Sequence, residues 1–290
     1  MRYLIDHSIA ITFPGSAWEH QCELRLAPPE NSAQRIHSLE ITVDPEAELH
    51  RYLDAFGNDV RFFSLLRPHD HLTVHLRADV ETLLSNPFGF ELLTPERERQ
   101  WLADALRAQP RLWAYVLHRS GASPRPAQLA ELAAGLDLPA YHPAAPLQDS
   151  LIAVMEWIAS RFEYDPDVTH VHSSLDDVLR QQAGVCQDFA HLMITVVRSW
   201  GFPARYAMGY LDPGYFEEGV PLATHAWAEV LVPGAGWRGF DPTHGVLAND
   251  SFVVVAVGRD YQDAAPVRGS FKGDHQGEHP EVHLRVVPQQ

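Results

Sequence analysis

The chain has 290 residues, 46% of them hydrophobic and 21% charged, which is ordinary globular usage and excludes disordered and fibrous classes. It carries 38 acidic against 22 basic side chains, a formal charge of −16 with no basic cluster, so nucleic acid and anionic membrane surfaces are poor partners. By length, about two domains are expected. The longest apolar runs, such as Phe252 to Val257, fall far short of the ~20 residues of a membrane span. The opening Met1 to His7 breaks its apolar run with Asp6, unlike a secretory signal. Two cysteines, Cys22 and Cys186, make no disulfide framework, and a reduced cytoplasmic protein is expected.

The first ninety residues read as β. Gln21 to Leu26 and Leu72 to Arg77 alternate apolar and polar side chains, with turn signals at Pro28-Pro29, Asp44-Pro45 and Gly57-Asn58-Asp59. This spacing predicts a small antiparallel sandwich with Cys22 in its core. From Thr94 the texture turns helical: Thr94-Pro95-Glu96 offers a cap, a first-turn proline and an acid. A Pro/Ala-rich stretch surrounds a short helix near 128–134. The expected division is a β-rich domain over 1–140, with a helical connector from about 94, and a second domain over 145–290.

The second part opens with an amphipathic helix from about Leu147 to Phe162. A second helix begins at Ser174, where Asp177 completes a capping box, and is expected to stop at Gly184. The third, Cys186 to Trp200, is apolar nearly all round and so is expected to be buried. Strands follow over 204–210, 224–232, 237–241 and 251–257. Helices first and strands afterwards make the fold α+β.

Cys186 sits at the first turn of that third helix, where unsatisfied backbone amides favour a thiolate and can hold an oxyanion. A thiolate nucleophile works with a base, and the base with an orienting carboxylate. His225 and Asp241, on the two arms of the hairpin turning at Val232 to Gly236, would supply both. Both numbers are odd, so they share a sheet face only if paired numbers sum to an even value, which demands an odd loop or a bulge. A sum of 466 would set them directly opposite.

Gly184-Val-Cys-Gln-Asp-Phe-Ala190, Arg198 to Gly209, His225-Ala-Trp227 and Trp237 to Asp241-Pro-Thr243 closely resemble the transglutaminase-like superfamily of papain-type thiol enzymes, in the order Cys, His, Asp. The N-terminal β region and the tail Val257 to Asp263 resemble accessory regions of its bacterial branch. The resemblance implies a nucleophile helix packed on an antiparallel sheet, with Cys186 as nucleophile, His225 as base and Asp241 as its orienter. It implies no cofactor and no metal, and a peptide or protein amide as substrate. Tyr164, Gln187 and Trp227 are candidates for the oxyanion site or its walls, with packing as the competing role for both aromatics. The role of Asp188 is open, and His191 and His244 fall on no motif position. Hydrolysis is preferred over amine transfer, and a binding module that merely retains the triad is the rival class. His275-Gln-Gly-Glu-His279 spells a zinc-protease string, but its flanking glycines and Pro280 predict a loop, not the helix such a site needs. His69-Asp-His71 reads as a polar turn with no third ligand.

Overall fold

In the computed structural model, which describes residues 1–168, 174–216, 222–273 and 280–289, the chain begins with one very long strand. β1 (Arg2–Ala27), β2 (Gln34–Asp44), β3 (His50–Leu53), β4 (Asp59–Leu65) and β5 (His69–Thr82) form an antiparallel sheet in the order β2-β5-β1-β4-β3. Period-two patterning drives it: Tyr3, Ile5 and Ile9 of β1 and Leu72, Val74, Leu76 and Val80 of β5 all turn inward. β1 pairs with β5 through its first half and with β4 through its second, with a register shift between Thr12 and Ala17. The expected antiparallel β region is thus one curled sheet whose halves share β1. Cys22 lies in its core as expected.

A helical connector follows, with α1 (Pro95–Ala108), a 3-10 turn over Pro110–Trp113, α2 (Ala114–Leu117) and α3 (Pro126–Leu132). Thr94 caps α1, its side chain accepting from the Arg97 amide at 3.4 Å. Then come α4 (Leu147–Arg161), β6 (Glu163–Tyr164), α5 (Leu175–Gln181), β7 (Ala183–Gly184) and α6 (Cys186–Ser199). The Ser174–Asp177 capping box is formed in both directions. α5 nevertheless ends short of Gly184: Gln182 takes the left-handed conformation (φ 52°), and Ala183 and Gly184 leave to pair in parallel with β6.

β8 (Ala204–Leu211), β9 (His225–Val232), β10 (Gly236–Asp241), β11 (Val246–Leu247) and β12 (Phe252–Gly258) form a second antiparallel sheet in the order β11-β10-β9-β8-β12. α6 packs on β8 and β9 and is covered from its other sides by α2, α3, α4 and α5. Every residue from Asp188 to Arg198 is buried, as the all-round apolar pattern predicts. Each of its large aliphatic side chains contributes about 1.5–3 kcal/mol by burial.

After the short α7 (Tyr261–Ala264), β13 (Val267–Lys272) and β14 (Glu281–Gln289) return to the N-terminal sheet, where both pair with β1. The two sheets are joined by polar side chains. β12 is an edge strand, and two buried amides from the first sheet complete its ladder. Gln34 Nε2 donates to Val254 O (2.9 Å) while Gln34 Oε1 accepts from Val254 N (3.0 Å). Asn58 does the same for Val257, at 2.8 Å in each direction. Removing either amide strands a backbone donor and acceptor. Asn58→Ala and Gln34→Ala are each expected to cost about 1–3 kcal/mol in urea unfolding, with the m-value unchanged. A loss within a few tenths of a kcal/mol would show that water replaces these bonds.

Candidate active site

Cys186 is the first residue of α6. Val185 at the N-cap has no side-chain acceptor, so only the reverse half of a capping box exists: the Asp188 carboxylate accepts from Val185 N at 2.9 Å. That is the structural role of Asp188, left open by the sequence. It also explains Gly184, where a Cβ would lie 2.8 Å from Asp188 Oδ2. Gly184 therefore lets the carboxylate fold back over the entry to α6, and does not terminate α5.

His225 is the first residue of β9 and Asp241 the last of β10. The hairpin turn holds three residues, Val232 pairs with Gly236, and paired numbers sum to 468. The sum is even, so the two side chains share a face, as parity requires. It is not 466: continuing the register, Asp241 lies level with Trp227, and the imidazole reaches it diagonally. His225 Nε2 donates to Asp241 Oδ2 at 2.8 Å, both residues being buried. A carboxylate only accepts, so Nε2 carries the proton and Nδ1 is left for the Cys186 thiol, which lies close enough to act on the ring's titration.

The electrostatics are those of a stabilised ion pair. Burial disfavours the imidazolium, but Asp241 and then Cys186 outweigh it and raise the His225 pKa. Burial likewise pushes the Asp241 carboxyl up, and His225 and His244 outweigh it, holding that carboxyl well below the usual range. His244, set aside by the sequence, meets this site directly: its Nδ1 donates to the same Asp241 Oδ2 at 2.7 Å, and Thr243 N donates to Oδ1 at 2.9 Å. The signal available in sequence is its place three residues after Asp241, on the turn that Pro242 begins. His225, Asp241 and His244 also form a compact donor set, with one ligand atom from each within 4.8 Å of the others. Those atoms already bond to one another, so a cation there would displace two imidazole protons.

Trp227 is fully buried with its ring 6.2 Å from that of His225 and nearly parallel to it. It lies across β8 and β10 where they lack side chains: a Cβ at Gly209 would come 3.0 Å from it and one at Gly239 3.0 Å from its Nε1. Phe252 meets both rings from β12. Tyr164 is half exposed and pairs with Gly184 across β6 and β7; burial, then the charge of Cys186, raise its phenol pKa. Gln187 is half-buried at the second position of α6, and its backbone carbonyl bonds to His191. His191 is a satisfied core histidine, accepting from Tyr261 N at 3.1 Å and stacked on Tyr206. Burial drives its pKa down to about 4. His275 to His279 lie outside the described residues. His69 instead joins His20 at 3.2 Å within the first sheet, while His71 pairs with Asp70 at the surface.

The profile of the transglutaminase-like superfamily matches residues 135–242, and that of the bacterial transglutaminase-like N-terminal region matches residues 3–81. An uncharacterized protein of Mycobacterium leprae is 33% identical over 94% of this chain and 94% of its own length. The chain belongs to the transglutaminase-like superfamily, in the branch that carries the bacterial N-terminal region. Its fold is similar to the solved structure of a proposed cysteine protease from Cytophaga hutchinsonii, with TM-score 0.75, 22% identity, and coverage of 100% of this chain and 92% of that one. A protein-glutamine gamma-glutamyltransferase of Pseudomonas aeruginosa is 30% identical over 32% of this chain and 16% of its own.

The two thiols are in contrasting surroundings. Cys22 is buried, and burial pushes its thiol up to about 12, whereas Cys186 is partly accessible beside an imidazole. Iodoacetamide at about pH 6 is expected to alkylate Cys186 alone, read by peptide mass spectrometry, and His225→Ala to slow that labelling at least tenfold or so. Equal labelling of both cysteines, or a rate indifferent to His225→Ala, would refute the pairing of thiol and imidazole.

Proposed function

We propose that the protein is a thiol-dependent acyl-transfer enzyme acting on amides, with hydrolysis of a peptide or protein substrate as its reaction. The observation that carries this reading is one imidazole engaged on both sides: Asp241 at 2.8 Å from Nε2 and the Cys186 thiol at the N-terminus of α6 on the other. Asp241 fixes the tautomer and stabilises the imidazolium formed when Nδ1 takes the thiol proton. The sulfur then attacks the amide carbon. Its developing oxyanion would be held by the first-turn N–H groups of α6, where Cys186 and Gln187 are the first two residues, with Tyr164 close enough to sense the charge of Cys186.

Collapse of that adduct breaks the C–N bond, and His225 returns its proton to the departing amine. A thioester remains on Cys186, which water resolves by the reverse sequence. An amine acceptor is the second reading, favoured by the similarity of about a third of this chain to the Pseudomonas transferase. The chemistry asks for no cofactor.

A library of peptides offered with and without a primary amine distinguishes the acceptors. Free acid as the main product supports hydrolysis, and amide exchange exceeding it supports transfer. Cys186→Ala is expected to abolish turnover. Asp241→Asn, which keeps shape but removes charge, is expected to lower it at least about a hundredfold. Turnover that survives Cys186→Ala would exclude the thioester route. Intact activity per folded molecule in Asp241→Asn, alongside a large fall in Tm, would make Asp241 a turn residue only.

A further inference from the structure

Asp241 Oδ2 accepts from two imidazoles at once, and only one belongs to the acyl-transfer scheme. His225 Nε2 stands 2.8 Å away and His244 Nδ1 2.7 Å away, with the two rings 5.1 Å apart and inclined at 59°. Oδ1 is held separately by the Thr243 amide at 2.9 Å. Four lone-pair sites of a buried carboxylate thus receive three donors from three directions. A carboxylate with one partner on each oxygen can still twist about its Cβ–Cγ bond. With two donors converging on Oδ2, one from β9 and one from the turn after β10, and a backbone amide on Oδ1, it cannot turn without breaking charge-assisted bonds.

His244 is itself seated, with Tyr215 edge-on at 5.4 Å and Phe216 at 6.4 Å, and Tyr215 also touches Phe252 at 5.9 Å. Its side chain is about a quarter exposed, in contrast to the fully buried Asp241. The charged or titratable groups facing this carboxylate are His225 from β9, His244 from the turn after β10 and, across the first imidazole, Cys186 from α6.

We infer that His244 is a positioning residue for the proposed reaction: it clamps Asp241 and takes a share of its charge, setting the orientation of His225 and how tightly the imidazolium is held. This rests on the acyl-transfer reading above. His244 acts on the His225 imidazole through the Asp241 oxygen that both share. The donor is an N–H one bond from Cγ, a place that the Nδ2 amide of asparagine also occupies. The clamp therefore tolerates His244→Asn and fails in His244→Ala.

The test follows Cys186 alkylation by iodoacetamide across about pH 5 to 10, together with proton NMR of the imidazole N–H groups in ¹⁵N-histidine-labelled protein. In His244→Ala the alkylation rate is expected to fall roughly tenfold at neutral pH, as the carboxylate loses one charge-assisted bond. The alkaline limb should move to higher pH, because Asp241 then gives its whole charge to His225. The His225 Nε2–H resonance should shift downfield, and His244→Asn should restore rate, limb and resonance towards wild type.

Rates and limbs identical in all three proteins would overturn the proposal. So would an equal loss in both variants accompanied only by a lower Tm, which marks a packing role. If wild-type Cys186 proves inert, the acyl-transfer reading fails, and the resonance alone decides the clamp: unmoved by His244→Ala, it refutes it; moved and restored by His244→Asn, it stands.

Discussion

A helix buried on every side has no free surface on which to shift, and that constraint on α6 organises this protein. Apolar side chains hold its middle between the second sheet and four other helices. Its ends must then meet their own polar needs in place. At the C-terminal end the buried Arg198 guanidinium donates to neutral oxygens: Tyr115 O at 2.9 Å, Ala204 O at 2.9 Å, Arg259 O at 2.6 Å and Ser123 Oγ at 3.1 Å. Burial lowers its pKa to about 9. One guanidinium thus ties the connector, β8 and the loop after β12 to the end of the helix. At the other end Asp188 takes the Val185 amide, and Cys186 is delivered to the edge of β9 with little positional freedom. A nucleophile gains from such fixing, since each lost degree of freedom is one not paid in the transition state.

The second sheet is held from both faces, and its aromatic face shows how. Trp227 needs room that β8 and β10 create by omitting side chains, and a Cβ at Gly209 would come 1.9 Å from Val253 O. Tight packing of β12 on β8 and of the indole over both glycines leaves His225 against a rigid wall. The N-terminal sheet supports this arrangement from outside: Gln34 and Asn58 close the edge of β12, Tyr3 donates to Asp212 Oδ2 at 3.0 Å, and His7 meets the Tyr210 hydroxyl at 3.0 Å. The first half of the chain thus bears on the strands that back the site, with Phe56 packed against the cluster that holds Trp227 and Phe252.

Local patterns were legible in the sequence and long-range closures were not. The apolar run of α6, the Thr94 and Ser174 caps and the period-two strands state their conformation within a few residues, because each depends on neighbours in sequence. The return of β13 and β14 to β1 depends on which sheet edge is open, and alternation in residues 281–289 does not name a partner. Asn58 read only as part of a turn signal and Gln34 drew no reading, since an amide that completes a distant ladder has no local signature. Gly184 looked like a helix stop and is a clearance for Asp188. His244 fell outside the motif because its partner is a carboxylate already assigned a role.

Parity is the one long-range fact that the sequence did carry, and it depends on a turn. Two odd-numbered residues on adjacent antiparallel strands face the same way only across a loop of odd length. The loop Pro233 to Ala235 satisfies this with Gly234 at φ 80° and Gly236 at φ 82°, conformations that L side chains rarely adopt. Deleting one residue would leave both strands intact and send Asp241 to the α6 face of the sheet, away from His225. The register also leaves Asp241 one step along from direct opposition, level with Trp227. That step opens the corner beyond β10 into which the chain turns at Pro242, bringing His244 round to the second side of Oδ2. The turn length thus selects the face, the offset makes room for a second imidazole, and the carboxylate receives two donors where direct opposition would have given it one.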